Sequence, residues 1–426
     1  VRLSVSYLPT GELGYGRMGT EIVNSMRRLG VDFRTDQNEA TGTHLHLSVP
    51  AHLLGWYDSQ RLICMSMFES MHVPEAFRET IHHFDTFIVP SEQNRELFSQ
   101  YHDDVRVVSL GVDPQVWKPT PRKPPTHRFE FLIGGSGLRK GGDVAYRAFN
   151  RAFPDGSWGD GPEPWLIMKS PRPNDFFGQR VMQINGRLPA EDEVALYENA
   201  HCYLQPSRGE GFGLQPLQAI VQGCPTILTD AHGHKAFSHL GIPLDSTLTD
   251  TPRGSFMLGD AGQWWEPDED QLAERMRDVY ENYDWHVHRA QHNAVNALQR
   301  FTWDNTARQV LDILGDLPSY SGHGRWVTPT IKKYRMRLNR SHTAQIAGHT
   351  YAWEAFTDYL VPADVKRIMF EAGFLDPECI AEEDPGLTDE QVERAGLLSG
   401  TESFCGTCHQ MIGSGIQRAD LLLAEG

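Results

Sequence analysis

The stretch Pro206-Ser-Arg-Gly-Glu-Gly-Phe-Gly-Leu-Gln-Pro-Leu-Gln218, followed by Ala-Ile-Val-Gln-Gly223-Cys-Pro225, decides how this chain is read. The run 202–205 has the composition of a buried strand and breaks at Pro206 into a loop carrying Gly209, Gly211 and Gly213. Backbone without Cβ atoms can approach a ligand closely. Pro216 suits the first position of a helix, where its missing N–H costs nothing, and Gly223 with Pro225 behind it stops that helix after about two turns. Strand, glycine loop and short helix in this order aim unpaired N–H groups and a positive dipole end at the loop, a setting that favours an anion such as a diphosphate. Glu210 in the loop and Gln218 in the expected first helical turn can then face one cleft. A glycine-rich connection without a ligand is the alternative.

The same strand-turn-helix rhythm extends to both sides. Residues 1–7 alternate like a strand, Gly11, Gly14, Gly16 and Gly19 punctuate a turn, and Met18, Ile22, Val23, Met26 and Leu29 mark one helical face closed by Gly30. Strands are expected at 62–67, 86–89 and 105–109, with a helix between Pro74 and His83. A second set follows, with strands at 129–133, 165–169, 181–185 and 202–205 and helices at 144–153 and 191–200. Leu272, Met276, Val279 and Tyr280 form a further helical stripe, and Thr302 can cap a helix over 303–314. Alternation of this kind gives α/β architecture with parallel sheets covered by helices. The expected organisation is a Rossmann-like domain over 1–118, a proline-rich linker over 119–127, a second Rossmann-like domain over 128–315 and a mainly helical extension over 316–426. Two doubly wound domains leave a cleft at the carboxyl ends of their strands, where such sheets bind ligands.

With 426 residues the chain can bury more than one core. Its net charge of −17 argues against a surface that coats nucleic acid generally, while leaving room for a local basic patch. The 6 cysteines follow no regular spacing and no signal peptide opens the chain, so a reduced, cytoplasmic setting is expected. The longest apolar runs fall far short of a membrane span.

Taken together, Glu210-Gly-Phe-Gly-Leu, Lys140-Gly141, Val89-Pro-Ser-Glu92, Leu110-Gly-Val-Asp113 and Phe301-Thr-Trp303 resemble glycosyltransferase family 4, the retaining glycosyltransferases of GT-B fold. The resemblance covers about residues 1–315. It implies that Lys140 neutralises the donor diphosphate as it leaves, that Glu210 hydrogen-bonds the donor sugar's hydroxyls, and that the backbone N–H groups of Phe212, Gly213 and Leu214 hold sugar and phosphate. Gly14-Tyr15-Gly16 matches the family's amino-terminal loop near donor phosphate and acceptor. Met67-Phe-Glu69 with Pro74 matches the edge of the acceptor cleft, which makes Glu69 and His72 candidates for binding the acceptor or taking its proton. Lys169 and Asn185-Gly-Arg187, at strand ends, are candidates for the nucleotide pocket.

Two positions depart from the family pattern. Gln218 stands where a second glutamate usually binds the ribose hydroxyls, so ribose contact is expected with altered nucleotide preference. Gly135 stands where an arginine is common, with Arg139 a substitute and Arg208 a weaker one. The implied reaction is sugar transfer from a UDP-, GDP- or ADP-sugar to a hydroxyl, with retention at the anomeric carbon and the leaving phosphate assisting. It requires no catalytic metal, and no suitably placed Asp-x-Asp exists. The acceptor can be a protein, a glycan or a small molecule; the alternatives are hydroxylated bases in DNA, or a non-catalytic module that binds sugar nucleotides or glycans.

The tail contributes two further candidates. Cys405-Gly-Thr-Cys408-His409 offers two thiolates two residues apart and a histidine, a candidate structural zinc site, with buried or reactive cysteines the alternative. Arg325, Lys332, Lys333, Arg335, Arg337 and Arg340 cluster around Trp326 and Tyr334 and could engage nucleic acid, the observation behind the DNA reading. A solvated face neutralising nearby carboxylates is the plainer account. A short helix is expected over 363–372 and another from a capping box at 388–391.

Overall fold

A computed structural model of the protein describes residues 3–7, 14–35, 42–50, 55–57, 61–170, 176–252 and 262–316, and seven short strands beyond them. Its elements run β1 (Leu3–Tyr7), α1 (Gly14–Arg28), β2 (Thr43–Leu47), β3 (Gly55–Tyr57), β4 (Arg61–Met65), α2 (Glu75–Ile81), β5 (Thr86–Val89), α3 (Glu92–Phe98) and β6 (Val105–Val107). There follow β7 (Arg128–Gly134), α4 (Gly142–Ala152), β8 (Glu163–Ser170), β9 (Val181–Asn185), α5 (Ala190–Asn199), β10 (Cys202–Gln205), α6 (Leu214–Val221), β11 (Thr226–Thr229) and β12 (Ile242–Leu244). The last are β13 (Ser246–Asp250), β14 (Gln263–Pro267), α7 (Glu269–Glu281), α8 (Tyr283–Arg300) and α9 (Trp303–Asp316). The chain divides into two compact units, one made of residues 1–66, 74–87 and 317–426, the other of 67–73 and 88–316.

In the first unit β1, β2 and β4 lie side by side in parallel, with Leu3 opposite Thr43 and Thr43 opposite Arg61. Strand β2 escapes the sequence reading because its Thr-His-Leu-His-Leu pattern puts histidines at alternate positions of a fully buried strand. Ser4 and Ser6 of β1 hydrogen-bond the His44 ring at 2.7 and 2.9 Å, and Ser6 also meets Nδ1 of His46 at 2.8 Å. Burial, followed by the neighbouring His46, lowers the His44 pKa to about 3, so the ring is neutral at pH 7.

Helix α1 begins at Gly14, which corrects the expected glycine turn: Gly14, Gly16 and Gly19 are all helical. At Gly19 the missing side chain permits close packing, since a Cβ there would sit 2.7 Å from Cβ of Tyr7. The expected apolar face, Met18, Ile22, Val23 and Met26, is buried.

The extension is expected from the sequence to be mainly helical. Its described residues are strands: Lys333–Arg337 pairs antiparallel with both Asp358–Pro362 and Ile380–Glu383, and His342–Ile346 pairs with His349–Trp353. Tyrosine, threonine, valine, isoleucine and tryptophan are frequent in these runs, and such side chains suit a pleated surface. The helices expected at 363–372 and from 388 lie outside the described residues.

The second unit is a six-stranded parallel sheet in the order β12-β11-β10-β7-β8-β9. Its core joins Phe129, Phe131 and Ile133 of β7 to Val144 and Phe149 of α4 and Leu272 and Met276 of α7. The chain runs from β7 to one side through β8 and β9, then crosses to place β10, β11 and β12 on the other. The chain therefore leaves the adjacent strands β7 and β10 towards opposite sides of the sheet, which makes their carboxyl ends the switch point at which doubly wound sheets bind ligands.

Two connections outside the sheet brace this unit. The Arg122 guanidinium donates to the carbonyls of Tyr197, Glu198, Ala200, Gln222 and Gly223, covering the carboxyl ends of α5 and α6, where unpaired carbonyls and the helix dipole favour a cation. The Leu110–Asp113 and Phe301–Trp303 motifs meet backbone to backbone: Val112 N–H donates to the Phe301 carbonyl at 3.0 Å and Trp303 N–H to the Val112 carbonyl at 3.2 Å.

Candidate active site

The two loops at the switch point are locked together by backbone. The loop after β7 ends in a turn over Leu138–Lys140 and reverses at Gly141, whose φ of 74° is left-handed. A Cβ on Gly141 would lie 1.8 Å from the Pro206 carbonyl oxygen, so only glycine fits there. Arg208 N–H donates to the Arg139 carbonyl at 2.8 Å and completes the clamp.

This clamp brings Arg139, Lys140 and Glu210 together. Lys140 Nζ donates to Glu210 Oε1 at 2.6 Å, and Arg139 lies 3.4 Å from Oε2 while donating to the Gly209 carbonyl at 2.6 Å. Burial alone would raise the Glu210 carboxyl; Lys140 and Arg139 overcome it and hold the group well below the usual carboxylate range. Glu210 is therefore ionised throughout the neutral range. Glu69 joins the cluster: the Gly209 backbone packs against its carbonyl, and its charge acts on both Arg139 and Lys140.

The support for Glu210 comes from residues that sequence reasoning passes over. Ser207 Oγ lies within hydrogen-bond distance of Glu210 Oε1 at 3.0 Å and of the Arg139 and Gly209 carbonyls. Gly233 N–H donates to the Glu210 carbonyl at 2.9 Å. Ser91, from the Val89-Pro-Ser-Glu92 motif, caps α3 and also donates to the Gly211 carbonyl, which Asn94 reaches as well. Asn94 further pairs with the backbone of Phe68 through both its amide and its carbonyl oxygen, fixing the segment that carries Glu69.

Helix α6 starts earlier than expected. Gly213, with φ of 101°, is its cap, Leu214 its first residue and Pro216 its third, so Gln218 falls in the second turn. No side chain caps this terminus, and Pro216 has no N–H to satisfy. Gln218 is buried, and its Oε1 meets no hydrogen-bond partner among the described residues. The Phe212 ring packs with Phe237 and Phe301, so this residue can offer only backbone to a ligand.

Two buried histidines pack behind the Glu210 loop. His232, with φ of 44°, donates from Nε2 to the Ser207 carbonyl at 2.9 Å, and His234 from Nδ1 to the Thr229 carbonyl at 3.2 Å. Burial lowers the His232 pKa to about 4 and lowers that of His234 well below its ordinary value, so both rings are neutral. The His234 ring presses on Gly213, where a Cβ would come within 2.4 Å of Cδ2. The available signal is their place, two histidines around a glycine just past the end of an apolar strand.

Other expected site residues are differently employed. Arg208 is buried, and its five N–H donors go to Leu138, Asp143 and Glu266 at 2.5–2.9 Å, which removes it from the set of free anion ligands. Lys169 donates to Glu193 at 2.7 Å, joining the end of β8 to α5. Arg187 follows β9 and is exposed, as is Asn185. Gly135 has φ of 100°, and a Cβ there would lie 3.0 Å from Lys140 Cγ. His72 packs beside Gly262. Gly14 and Gly16 open α1 in the other unit. Cys405, Cys408 and His409 lie outside the described residues, as do the side chains of the basic cluster around Trp326. Among the described residues no group of three His, Cys, Asp or Glu side chains could hold a metal, and no helix is long and apolar enough to cross a membrane.

Solved structures show that the architecture is of the GT-B fold. Sucrose-phosphate synthase from Thermosynechococcus elongatus superposes with a TM-score of 0.54 at 13% identity, over 74% of this chain and 98% of that one. Anabaena HepE, in complex with UDP and glucose, gives 0.53 at 12% identity over 74% of this chain and 100% of that one. The sequence model of Family 4 Glycosyltransferase in conflict systems matches residues 91–310, more than half of the chain, and the chain belongs to that family. D-inositol 3-phosphate glycosyltransferase of Corynebacterium urealyticum is 27% identical over 136 residues, which is 32% of this chain and 28% of that protein. The match thus spans under a third of that relative's length.

Proposed function

We propose that the chain is a retaining glycosyltransferase that moves a sugar from a nucleotide-sugar donor to an acceptor hydroxyl. The observation that carries this reading is the Lys140–Glu210–Arg139 cluster, set beside the uncapped start of α6 at the sheet's switch point. Charge develops on the donor diphosphate as the bond from the anomeric carbon to the phosphate oxygen breaks. Lys140, Arg139 and the helix terminus stabilise that charge without transferring a proton. Glu210 accepts hydrogen bonds from the donor sugar's hydroxyls. The acceptor oxygen bonds to the same face of the sugar, its proton passing to the departing phosphate, so configuration is retained. The UDP and glucose held by the HepE structure support a nucleotide-sugar donor. Gln218, uncharged and buried near the start of α6, is where nucleotide preference departs from the family's habit.

A panel of UDP-, GDP- and ADP-sugars with mixed hydroxyl acceptors tests the proposal. One donor class is expected to be consumed, with the anomeric configuration of the product retained by NMR. Glu210→Ala and Lys140→Ala should each lower transfer by about a thousandfold while leaving the circular dichroism spectrum unchanged. Absence of turnover with every donor, or wild-type activity in either variant, would overturn it.

A further inference from the structure

We infer that Glu210 is also the resident occupant of the diphosphate seat, and that its return to Lys140 displaces the spent nucleoside diphosphate. This rests on the donor-site reading above and adds a second role for the same carboxylate. Lys140 and Arg139 lie side by side in the loop after β7, with side chains only about a quarter exposed. Cations so placed need counter-charge, and the protein supplies it from within. Glu210 contacts Lys140 at 2.6 Å and stands 3.4 Å from Arg139, while Glu69 acts on the same two cations. Two cations against two carboxylates leave no surplus positive charge for a diphosphate.

The contact conflicts with both donor-site roles. A diphosphate reaching Lys140 meets a carboxylate already on that ammonium, and like charges a few ångströms apart repel. The sugar's hydroxyls, in turn, compete with Lys140 for the lone pairs of the same carboxylate. A sugar nucleotide resolves both at once, because its phosphate takes Lys140 while its sugar receives Glu210. The backbone can stay fixed during the exchange: Gly233 N–H holds the Glu210 carbonyl at 2.9 Å, so only the side chain has to turn. Once the sugar has left for the acceptor, the carboxylate has lost its hydroxyl partners. It then competes with the diphosphate for Lys140. Discrimination of substrate from product follows, since the nucleoside diphosphate alone offers Glu210 nothing in exchange.

Calorimetric titration of UDP, GDP and ADP into wild type, E210Q, K140Q and the double variant separates this role from sugar binding, because these ligands carry no sugar. E210Q is expected to bind its nucleoside diphosphate about tenfold more tightly than wild type, with the gain absent when Lys140 is replaced. If E210Q does not fold, E210D, which withdraws the carboxylate by one methylene, should still tighten binding several-fold. Equal or weaker binding by the folded variant, beside measurable binding by wild type, overturns the inference. Wild type that binds none of the three ligands defeats the donor-site reading itself, and the inference with it.

Discussion

Arg208 and Glu210 stand two residues apart on one loop, each buried and each at the centre of an ion cluster, yet the clusters differ in how far they are satisfied. Around Arg208 every N–H donor has an acceptor, shared among Asp143, Glu266 and the Leu138 carbonyl. Around Glu210, the carboxylate contacts two cations whose side chains remain partly exposed, and Glu69 balances their charge without a contact as close. A saturated cluster holds structure and has nothing left for a ligand. An unsaturated one at a switch point has both a reason to bind and the means to exchange partners.

The largest effect should come from the saturated side. Arg208→Ala leaves Asp143 and Glu266 without their buried partner and is expected to cost about 4 kcal/mol in urea unfolding. A loss below about 1 kcal/mol would break the comparison, because it would make the Arg208 cluster as dispensable as a surface pair. Acid should then probe both clusters together. Burial opposes ionisation at Asp143 and Glu210, but Arg208 and Arg147 in the first case, and Lys140 and Arg139 in the second, hold the folded-state pKa values down. Their contribution is thus complete above the unfolded values near pH 4 and is lost as pH falls towards the folded ones. Stability should be level from pH 7 to about 5, then drop by about 2 kcal/mol by pH 3, with a shallower drop in E210Q. A profile for that variant parallel to wild type would show that the Glu210 cluster adds nothing to stability. The smallest effect is expected at Ser207, where Ser207→Ala removes one hydrogen bond to Glu210 and should cost about 1 kcal/mol. Measured alongside transfer rates, it sharpens how far the orientation of Glu210 depends on the loop beneath it.

Much of this is legible in the sequence, for reasons that follow the strength of each signal. Strands 86–89, 181–185 and 202–205 are readable to the residue because apolar runs between turn residues leave little choice. The loop motifs, and the choice of Lys140 and Glu210 as candidate residues, are signalled by residue type and order; their contact with each other is not. What stays hidden depends on partners far along the chain. Strand β2 is buried through serine-histidine pairs, which no hydrophobic pattern records. Arg208 reads as a free arginine until Asp143 and Glu266 arrive from other elements. The start of α6 is displaced from its expected place because a left-handed glycine serves as its cap, so the proline signal points two residues too far. The described strands of the extension go unread because pairing between strands distant in sequence is invisible to a local reading.

Gly141 carries a consequence for how sensitivity to change should be interpreted in this family. Its α-hydrogens face the Pro206 carbonyl across a gap too small for a methyl group, and its φ is one that other residues seldom adopt. Any other residue would have to push apart the two loops whose closeness sets Lys140 against Glu210. Position 141 would therefore look as intolerant as a residue that touches substrate, although it has no reactive atom to offer. In a map of tolerated substitutions the chemistry and the hinge-pin that aligns it would be indistinguishable, and only the missing Cβ tells which is which.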